Sequence, residues 1–374
     1  MPQCKSRFAA GHPTRPGAQG AGSPPGPGRG DVIVAPVPAP TAAPDLPTVT
    51  DLLTVTNLRV GLNTSRGPAQ ALRGVSFRIG AGESVGLIGE SGCGKSMTAL
   101  ALMGLLPEGA RLEGSIRFQG EELVGLPDSA LCRLRGNRIG MVFQEPMTAL
   151  NPLHTIARQI AEPLRLHQGL AGSAARAQAL RLLEQVQLAQ AAQRLDAYPH
   201  QLSGGQRQRV TIAMALACGP DLLIADEPTT ALDVTLQAEI LELIAALVKD
   251  RGMALLLISH DLGVMAKNVA RTLVMYGGTV AEAGPTASVF DRLAHPYTRG
   301  LFGARPRLGV TRGSRLATIP GRVPELVDLP PGCPFADRCA WVVDACRVAP
   351  PPPVEVAPGH VARCIRVDEV LASA

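Results

Sequence analysis

Short apolar runs alternate with amphipathic helical stretches over most of the chain. The apolar runs predict strands, and the stretches with helical periodicity predict helices. Strands are predicted at 53–60, 74–79, 83–88, 222–225, 254–258 and 272–275, where apolar residues are consecutive or alternate. Helices are predicted at 95–106, at 207–217 and at 234–249. This alternation indicates an α/β fold in which helices cover both faces of a parallel sheet.

Changes in composition divide the chain into three segments. Residues 1–50 are rich in Pro, Gly and Ala and have no apolar period, which predicts a disordered segment. An α/β domain is predicted over 51–285, with a helical subdomain at about 150–200 where the apolar period becomes helical. From 286 to 374 Pro, Gly and Cys become frequent, so a separate C-terminal domain is predicted there.

The charges exclude some classes of partner. The 36 Lys and Arg residues are interspersed with 31 Asp and Glu residues, and the net charge of +5 is small for 374 residues. Because there is no basic stripe, no nucleic-acid partner is expected; a solvated surface is favoured, with a face near anionic lipid as the alternative. No run approaches the eighteen or so apolar residues that span a bilayer. We expect a cytoplasmic protein, whose role at a membrane would need separate membrane-spanning partners.

The segment GESGCGKS follows the apolar run at 83–88 and opens the helix predicted at 95. In this context it predicts a phosphate-binding loop, because its glycines let backbone N–H groups converge on phosphate oxygens at a helix N-terminus. Lys95 would face the outer phosphates and Ser96 would ligate Mg²⁺. The Cys93 thiol, beside that helix N-terminus, is expected to have a lowered pKa. The candidate ATP ligands are Gly89, Glu90, Ser91, Gly92, Cys93, Gly94, Lys95, Ser96 and Met97.

A pair of carboxylates follows a second apolar strand. LLIADE ends in Asp226 and Glu227, and Asp226 lies 131 residues after Lys95. Adjacent carboxylates repel one another unless a cation is present. We therefore predict that Asp226 holds Mg²⁺ through water and that Glu227 polarises an attacking water molecule.

The segment LSGGQ at 202–206 precedes a predicted helix, so its serine and glycines form a second anion-binding helix N-terminus. With the two preceding elements it resembles the ATP-binding cassette (ABC) family, whose signature motif it matches. The resemblance implies an ABC-type P-loop NTPase fold, with a RecA-like core and antiparallel β and α-helical subdomains. It also implies a head-to-tail dimer in which the partner's ATP is contacted by Ser203, Gly204, Gly205 and Gln206.

The resemblance assigns roles to residues outside these three elements. Gln144 in VFQEPMTALNP matches the Q-loop, Asp233 in TTALD the D-loop, and His260 in LISHD the switch histidine. The implied catalytic residues are Glu227, His260 and Gln144. The implied Mg²⁺ ligands are Ser96, Gln144 and Asp226.

One position departs from the family pattern. The family places an aromatic residue ahead of the phosphate-binding loop to stack on adenine, and Leu62 stands at that place here. We expect adenine to be held by apolar contact alone, or more weakly.

Several classes of ABC protein were weighed. A chromosome-maintenance ATPase would need a long coiled coil between the motifs, a translation-associated protein usually has two cassettes, and a P-loop kinase would lack LSGGQ. A transporter subunit remains. The segments 89–107, 142–155 and 198–240, together with HPYTRGL, IPGRVPEL and GCPFADRC, resemble the D-type ATPase subunit of dipeptide and oligopeptide permeases.

This closer resemblance implies a set of partners. They are a second, related ATPase subunit that completes a heterodimer, two transmembrane permease subunits and an extracytoplasmic solute-binding protein. The chain would lie at the cytoplasmic face of the cell membrane and energise uptake of dipeptides or oligopeptides. Nickel and other small-solute importers share the architecture and are the alternative.

Four cysteines cluster near the C-terminus. Cys333, Cys339, Cys346 and Cys364 are separated by five, six and seventeen residues. Four thiolates satisfy either a tetrahedral Zn²⁺ or a four-iron cluster, and the wide gaps count against structural zinc. The resemblance to the permease group implies a [4Fe-4S] cluster. Zn²⁺ and the packing of reduced cysteines are the alternatives.

Overall fold

The computed structural model describes residues 51–230, 232–304 and 318–373. The segment predicted to be disordered, 1–50, lies outside them. Twelve strands are described in these ranges, and their bounds are β1 Asp51–Thr64, β2 Gly67–Gly80, β3 Ser84–Ile88, β4 Arg111–Phe118, β5 Glu121–Glu122, β6 Ile139–Val142, β7 Leu222–Asp226, β8 Ala254–Ile258, β9 Arg271–Tyr276, β10 Thr279–Pro285, β11 Val354–Ala357 and β12 His360–Ala362.

The helices of the same ranges lie between and around these strands. Their bounds are α1 Lys95–Leu102, α2 Asp128–Leu134, α3 Pro146–Ala149, α4 Ile156–Gln168, α5 Gly172–Gln185, α6 Ala191–Arg194, α7 Gly204–Ala215, α8 Val234–Arg251, α9 Leu262–Asn268, α10 Thr286–Arg292, α11 Pro296–Gly303, α12 Ala345–Val348 and α13 Val367–Ala372. Short 3₁₀ turns occur at Pro199–Gln201, Leu326–Asp328 and Ala336–Arg338. Among the described helices, none combines the length and the apolar character that crossing a bilayer requires.

The larger sheet contains the predicted parallel strands. Its order is β11-β12-β10-β9-β3-β8-β7-β6, and the five strands from β9 to β6 run parallel. Every residue of β7 and β8 is buried, as expected of strands that helices cover on both faces. The predicted α/β class and its parallel sheet are confirmed.

The smaller sheet is antiparallel and has the order β2-β1-β4-β5. Its main unit is the hairpin of β1 and β2, each fourteen residues long. Both strands extend beyond the predicted ranges, because β1 pairs with β2 from Asp51 to Thr64, whereas β4 pairs only with the part of β1 from Leu53 to Gly61. Backbone pairing with β2 therefore holds the polar ends of β1 in a strand that the apolar pattern alone does not indicate.

Two predicted helix boundaries were wrong by three or more residues. Helix α1 ends at Leu102 rather than at 106, because Gly104, two residues later, takes a left-handed φ of 60°. Helix α7 begins at Gly204 rather than at 207. Ser203 caps it with a side chain that accepts a hydrogen bond from the backbone N–H of Gln206, so the helix starts three residues earlier.

The helices of the 150–200 region pack against one another and against α7. Helix α4 begins after Thr155, which caps it, and ends at Gly169 in a left-handed conformation. Its buried face includes Ile156, Ile160 and Leu164, and these belong to the same hydrophobic core as the buried side of α7. The segment that carries LSGGQ is therefore supported from the helical side of the molecule.

The residues after 286 join the main body through backbone and core. Strand β12 pairs with β10, and β11 pairs with β12, so the C-terminal segment adds two strands to the large sheet. Cys333, Phe335 and Cys346 lie in the same hydrophobic core as residues of β7 and β8. We call residues 318–373 the C-terminal extension.

Candidate nucleotide site

The predicted functional side chains follow four neighbouring parallel strands. GESGCGKS follows β3, Gln144 follows β6, Asp226 and Glu227 end β7, and His260 follows β8. The sheet order β3-β8-β7-β6 makes these four strands adjacent. Because parallel strands all end at one edge of a sheet, residues far apart in sequence meet there.

The phosphate-binding loop takes a conformation that needs its glycines. Gly89 has a φ of 152° and Gly94 a φ of 106°. A Cβ atom at Gly89 would lie 2.3 Å from the backbone oxygen of Met275, and one at Gly94 would lie 2.8 Å from Leu72. Gly92 has a φ of 80° and faces open space. A loop of this shape leaves its outer side open to a phosphate group.

Lys95 is held at the base of the loop. Its side chain is 6% exposed, and Nζ donates to the backbone oxygens of Gly89 at 2.9 Å and Glu90 at 3.2 Å. Cys93 is buried, and burial raises the pKa of its thiol, outweighing the charge of Lys95. The prediction of a lowered pKa for Cys93 was therefore wrong, because the thiol points into the core rather than toward solvent. Met97 lies in the first turn of α1 and is half-buried.

Asp226 ends β7 beside the first turn of α1. Ser96 Oγ donates to Asp226 Oδ1 at 3.2 Å, so two of the predicted Mg²⁺ ligands are already in contact. Burial raises the pKa of Asp226, and the charge of Glu227 raises it further, while the Ser96 hydrogen bond and Lys95 lower it. A buried carboxylate with a raised pKa beside a second carboxylate is the setting in which a bound cation is most favourable.

Glu227 is the point on which the other residues converge. Gln144 Nε2 donates to Glu227 Oε2 at 3.2 Å, and Thr230 Oγ1 donates to the same oxygen at 3.1 Å. His260 Nδ1 lies 3.5 Å from Oε2, and Lys95 Nζ lies 3.9 Å from Oε1. Thr230 was not among the site residues predicted from the sequence.

The backbone at Glu227 takes a left-handed conformation, with a φ of 45°. Its N–H donates to the oxygen of Ile258 at 2.9 Å, which ties the residue to β8. A non-glycine residue in this region stores backbone strain that the surrounding structure must hold. The strand end therefore turns the carboxylate toward Gln144, away from the sheet.

The signature segment begins α7. Ser203 and Gly204 are exposed, whereas Gly205 is buried and a Cβ there would lie 3.3 Å from Leu236. The Ser203 backbone N–H donates to Gln206 Oε1 at 3.0 Å, which completes a reciprocal capping box. Asp233 caps α8 without such a reciprocal bond: its side chain accepts from the Leu236 N–H at 3.0 Å. The exposed helix start is open to an anion from outside this chain.

The C-terminal extension and α11 contact the phosphate-binding loop, and no sequence pattern indicated this contact. The backbone N–H of Glu90 donates to Tyr297 Oη at 2.6 Å. Arg338, only 5% exposed, donates to both carboxylate oxygens of Glu90 at 2.6 and 3.1 Å, and to Tyr276 Oη at 3.2 Å. HPYTRGL contains Tyr297 and GCPFADRC contains Arg338, but nothing in either motif indicates its partner.

An open cavity of about 390 Å³ lies beside the loop. Ser91 and Gly92 line one side, the β1–β2 turn a second, and residues 323–327 of the extension a third. Arg66 in the turn forms ion pairs with Glu325 at 2.7 Å and Asp328 at 2.8 Å, which hold the extension there. Leu62 lies two residues before Thr64, on the same face of β1, and packs against the adjoining core. The cavity is the candidate site for the base.

The four cysteines of the extension line one small cavity of about 10 Å³. That volume holds about one water molecule. Burial, with the neighbouring cysteines, raises the pKa of Cys333 and of Cys364 to about 11, which favours neutral thiols. Within 51–230, 232–304 and 318–373, no three His, Cys, Asp or Glu side chains are arranged to hold a metal ion. Four thiols are the residue types that an iron–sulfur cluster requires, but the predicted ligation is not confirmed.

Two segments of the chain match known families. Residues 72–230 match the family described as ABC transporter, and residues 281–346 match the Oligopeptide/dipeptide transporter, C-terminal region. The solved ATP-binding cassette MJ0796, in a dimeric post-hydrolysis state bound to ADP and Pi, matches with a TM-score of 0.57 and 30% identity. That match covers 63% of this chain and 98% of the other.

Relatives of known name match most of the chain. It is 51% identical over 320 residues to the Oligopeptide transport ATP-binding protein OppD of Mycobacterium tuberculosis, covering 85% of this chain and 52% of that protein. The chain thus spans about half the length of the OppD relatives it matches. It is 48% identical over 333 residues to BMEII0863 of Brucella melitensis, named as a peptide import ATP-binding protein, covering 86% and 98% respectively. The chain belongs to the ATP-binding proteins of the ABC transporter family, in the group whose cassette precedes an oligopeptide/dipeptide transporter C-terminal region.

Proposed function

We propose that this chain binds and hydrolyses ATP as a subunit of an ABC importer that takes up dipeptides or oligopeptides. The observation that carries the proposal is the convergence of Gln144, His260 and Lys95 on the Glu227 carboxylate at a strand end. The names of the relatives support the peptide cargo. Nickel or another small solute remains the alternative cargo.

Each residue of the convergence has a proposed role in hydrolysis. Lys95 and the loop N–H groups bind the β- and γ-phosphates, and Glu227 orients the attacking water. Gln144 and His260, on either side of Glu227, would hold that water and the γ-phosphate in line. Mg²⁺ would be held by Ser96, Asp226 and Gln144, and when bound it neutralises charge on the phosphate oxygens. The contact of Ser96 with Asp226 supports this ligand set.

The exposed start of α7 supports a partner in the site. Ser203 and Gly204 face solvent, so they are free to contact ATP bound by another cassette. We propose a second, related ATPase subunit as that partner, in a head-to-tail heterodimer, with Asp233 of the D-loop near the contact. Two transmembrane permease subunits and an extracytoplasmic solute-binding protein complete the proposed importer, with this chain on the cytoplasmic face of the membrane.

Substitution of Glu227 tests the proposed chemistry. Glu227→Gln keeps the side-chain shape but removes the charge that orients water, so ATP turnover is expected to fall about 100-fold or more. ATP binding, measured by calorimetry with Mg²⁺, is expected to persist. Glu113→Gln, at an exposed position on β4, is the matched control and should leave both unchanged. Undiminished turnover in Glu227→Gln would contradict the assignment.

We also propose that the four cysteines bind a [4Fe-4S] cluster, with Zn²⁺ as the alternative. Support comes from their convergence on one cavity from segments up to 31 residues apart, Cys333 to Cys364. Binding would require the thiols to lose their protons. Protein purified without oxygen should show iron–sulfur absorbance and bound iron, and Cys339→Ser should lose both. Iron and zinc contents near zero in the unsubstituted protein would leave packed, reduced cysteines as the correct description.

A further inference from the structure

A second cavity, separate from the nucleotide site, lies between the β1–β2 hairpin and the C-terminal extension. Its volume is about 300 Å³. We call it the arginine cavity, because Arg59, Arg73 and Arg363 all line it. Tyr276 and Phe335 supply aromatic walls, and no Asp or Glu is among the described residues that line the cavity. Three cationic side chains therefore share one cavity, and the described part of its wall contains no acidic residue.

Two of the three arginines are direct neighbours across the hairpin. Arg59 on β1 pairs in register with Arg73 on β2. Like charges that stand opposite one another on adjacent strands destabilise the sheet unless something neutralises them. Burial lowers the pKa of Arg73, and the charge of Arg59 lowers it further, as expected of two cations that lie opposite one another.

Arg73 also has an unused hydrogen-bond donor. Its Nη2 donates to the backbone oxygen of Pro330 at 3.1 Å. Its Nη1 is buried and has no hydrogen-bond partner in the described part of the chain. A buried donor without a partner is rare in folded proteins, and a charged one is costly.

The third arginine comes from the extension. Arg363 follows β12, and its backbone N–H donates to the oxygen of Ala281 at 2.7 Å, which fixes its position. Burial lowers the pKa of its guanidinium. Across residues 51–230, 232–304 and 318–373, no ion pair is formed by Arg59, Arg73 or Arg363.

The chemistry of the cavity specifies what would fill it. Guanidinium groups bind phosphate and carboxylate in forked, charge-assisted pairs, and three of them match an oxyanion with several oxygens and more than one negative charge. Asn57, Gln70 and Thr279 add neutral polar groups to the wall. The volume is at the lower end of the range for small-molecule sites, so it admits a phosphate ion or a small phosphate ester.

We propose that the arginine cavity binds a phosphate-class oxyanion, held by Arg59, Arg73 and Arg363, at a site distinct from the ATP site. The bound anion neutralises the cross-strand arginine pair and accepts from Arg73 Nη1. It also bridges the hairpin to the extension, because Arg59 and Arg73 belong to the hairpin and Arg363 belongs to the extension.

The experiment uses the full chain carrying Lys95→Ala. This substitution removes the positive charge that would bind phosphate at the nucleotide loop. Inorganic phosphate is titrated by calorimetry and by thermal unfolding in buffer that otherwise lacks oxyanions. Saturable binding and a rise in Tm with phosphate concentration are expected. Adding Arg73→Gln or Arg363→Gln should weaken phosphate binding about tenfold or more. Arg111→Gln, an exposed arginine of β4 with the same change of charge, should leave it unchanged.

Stability without the anion provides an independent readout. If the arginines repel one another, Arg73→Gln should unfold at the same or a higher temperature than its parent in phosphate-free buffer. It should also lose the rise in Tm that phosphate produces. If Arg73 serves only as a packing residue, its substitution should instead lower Tm and leave the rise in Tm with phosphate intact. That result would contradict the proposal.

Two probes separate the sources of the anion. A nucleoside monophosphate that binds at least tenfold more tightly than inorganic phosphate assigns the site to a phosphate ester, and equal or weaker binding assigns it to the free ion. No saturable binding of either probe, or binding that survives both arginine substitutions, would overturn the proposal. A dicarboxylate that binds more tightly than inorganic phosphate would overturn the phosphate class.

Discussion

The edge of the large sheet where β3, β8, β7 and β6 end, which we call the nucleotide edge, brings distant residues together. The C-terminal extension does so too, but by different means. At the nucleotide edge, each residue follows a parallel strand, so the strand order alone places Gln144, Glu227 and His260 side by side. In the extension, Arg338 reaches Glu90 across 248 residues through a 3₁₀ turn and a buried side chain. Sites built at strand ends can be located from sequence, whereas sites built by packing cannot.

The largest expected effect tests the nucleotide edge. Lys95→Ala removes a buried charge that faces the loop, and truncation of such a group costs about 2–5 kcal/mol of binding free energy. ATP affinity, measured by calorimetry with Mg²⁺, should fall accordingly. Lys249→Ala at the exposed end of α8 is the control and should leave the affinity unchanged. Equal affinities in the two variants would remove the basis for placing phosphate at this loop.

The next effect tests whether the extension supports the loop. Arg338→Met leaves the Glu90 carboxylate without its guanidinium partner, and ATP affinity should fall about tenfold, with a loss of about 1–3 kcal/mol of stability. Arg338→Lys should restore part of the affinity, while the rate at saturating ATP stays near that of the parent.

The control lies in the same segment. Arg347→Met breaks an ion pair with Asp337 whose side chains are about half exposed, so it should change stability by less than about 1 kcal/mol. If Arg347→Met weakens ATP binding as much as Arg338→Met does, the contact with Glu90 is not what positions the loop.

A pH series tests the carboxylate beside Ser96. The pKa of Asp226 is raised in the folded protein, so folding favours the protonated side chain. At pH values above that pKa, the charged carboxylate destabilises the nucleotide-free protein. As pH falls from neutral, Asp226 should protonate before an ordinary aspartate does, and Mg²⁺-dependent ATP binding should weaken. Asp226→Asn should be more stable than its parent at neutral pH without nucleotide, and the difference should shrink as pH falls. A difference in Tm that is constant with pH would contradict this.

The smallest effect concerns the base. Leu62→Phe restores an aromatic face near the cavity beside Ser91, and stacking should add about 0.5–1.5 kcal/mol to ATP binding. Inorganic tripolyphosphate, which has no base, is the control ligand and should bind both proteins equally. An identical gain for tripolyphosphate would show that the substitution acts on the loop rather than on adenine.

Local patterns predicted much of the fold, and they pointed to most of the residues that meet at the candidate nucleotide site. The apolar runs located β3, β7, β8 and β9, and the glycine pattern located the loop before α1. Errors arose where a cap or a neighbour decided the outcome. Ser203 started α7 early, Gly104 ended α1 early, and burial reversed the expected direction of the Cys93 pKa.

The sequence by itself determined which residue types follow each strand and which segments match the ABC transporter family. That is possible because strands, loops and caps depend on neighbours within a few residues. Only the tertiary structure decided that Thr230 joins Glu227, that Tyr297 and Arg338 hold Glu90, and that Arg59, Arg73 and Arg363 face one cavity. These contacts depend on how the sheets and the extension pack against one another. Packing brings together residues that are far apart in the sequence, and no local pattern indicates which of them will touch.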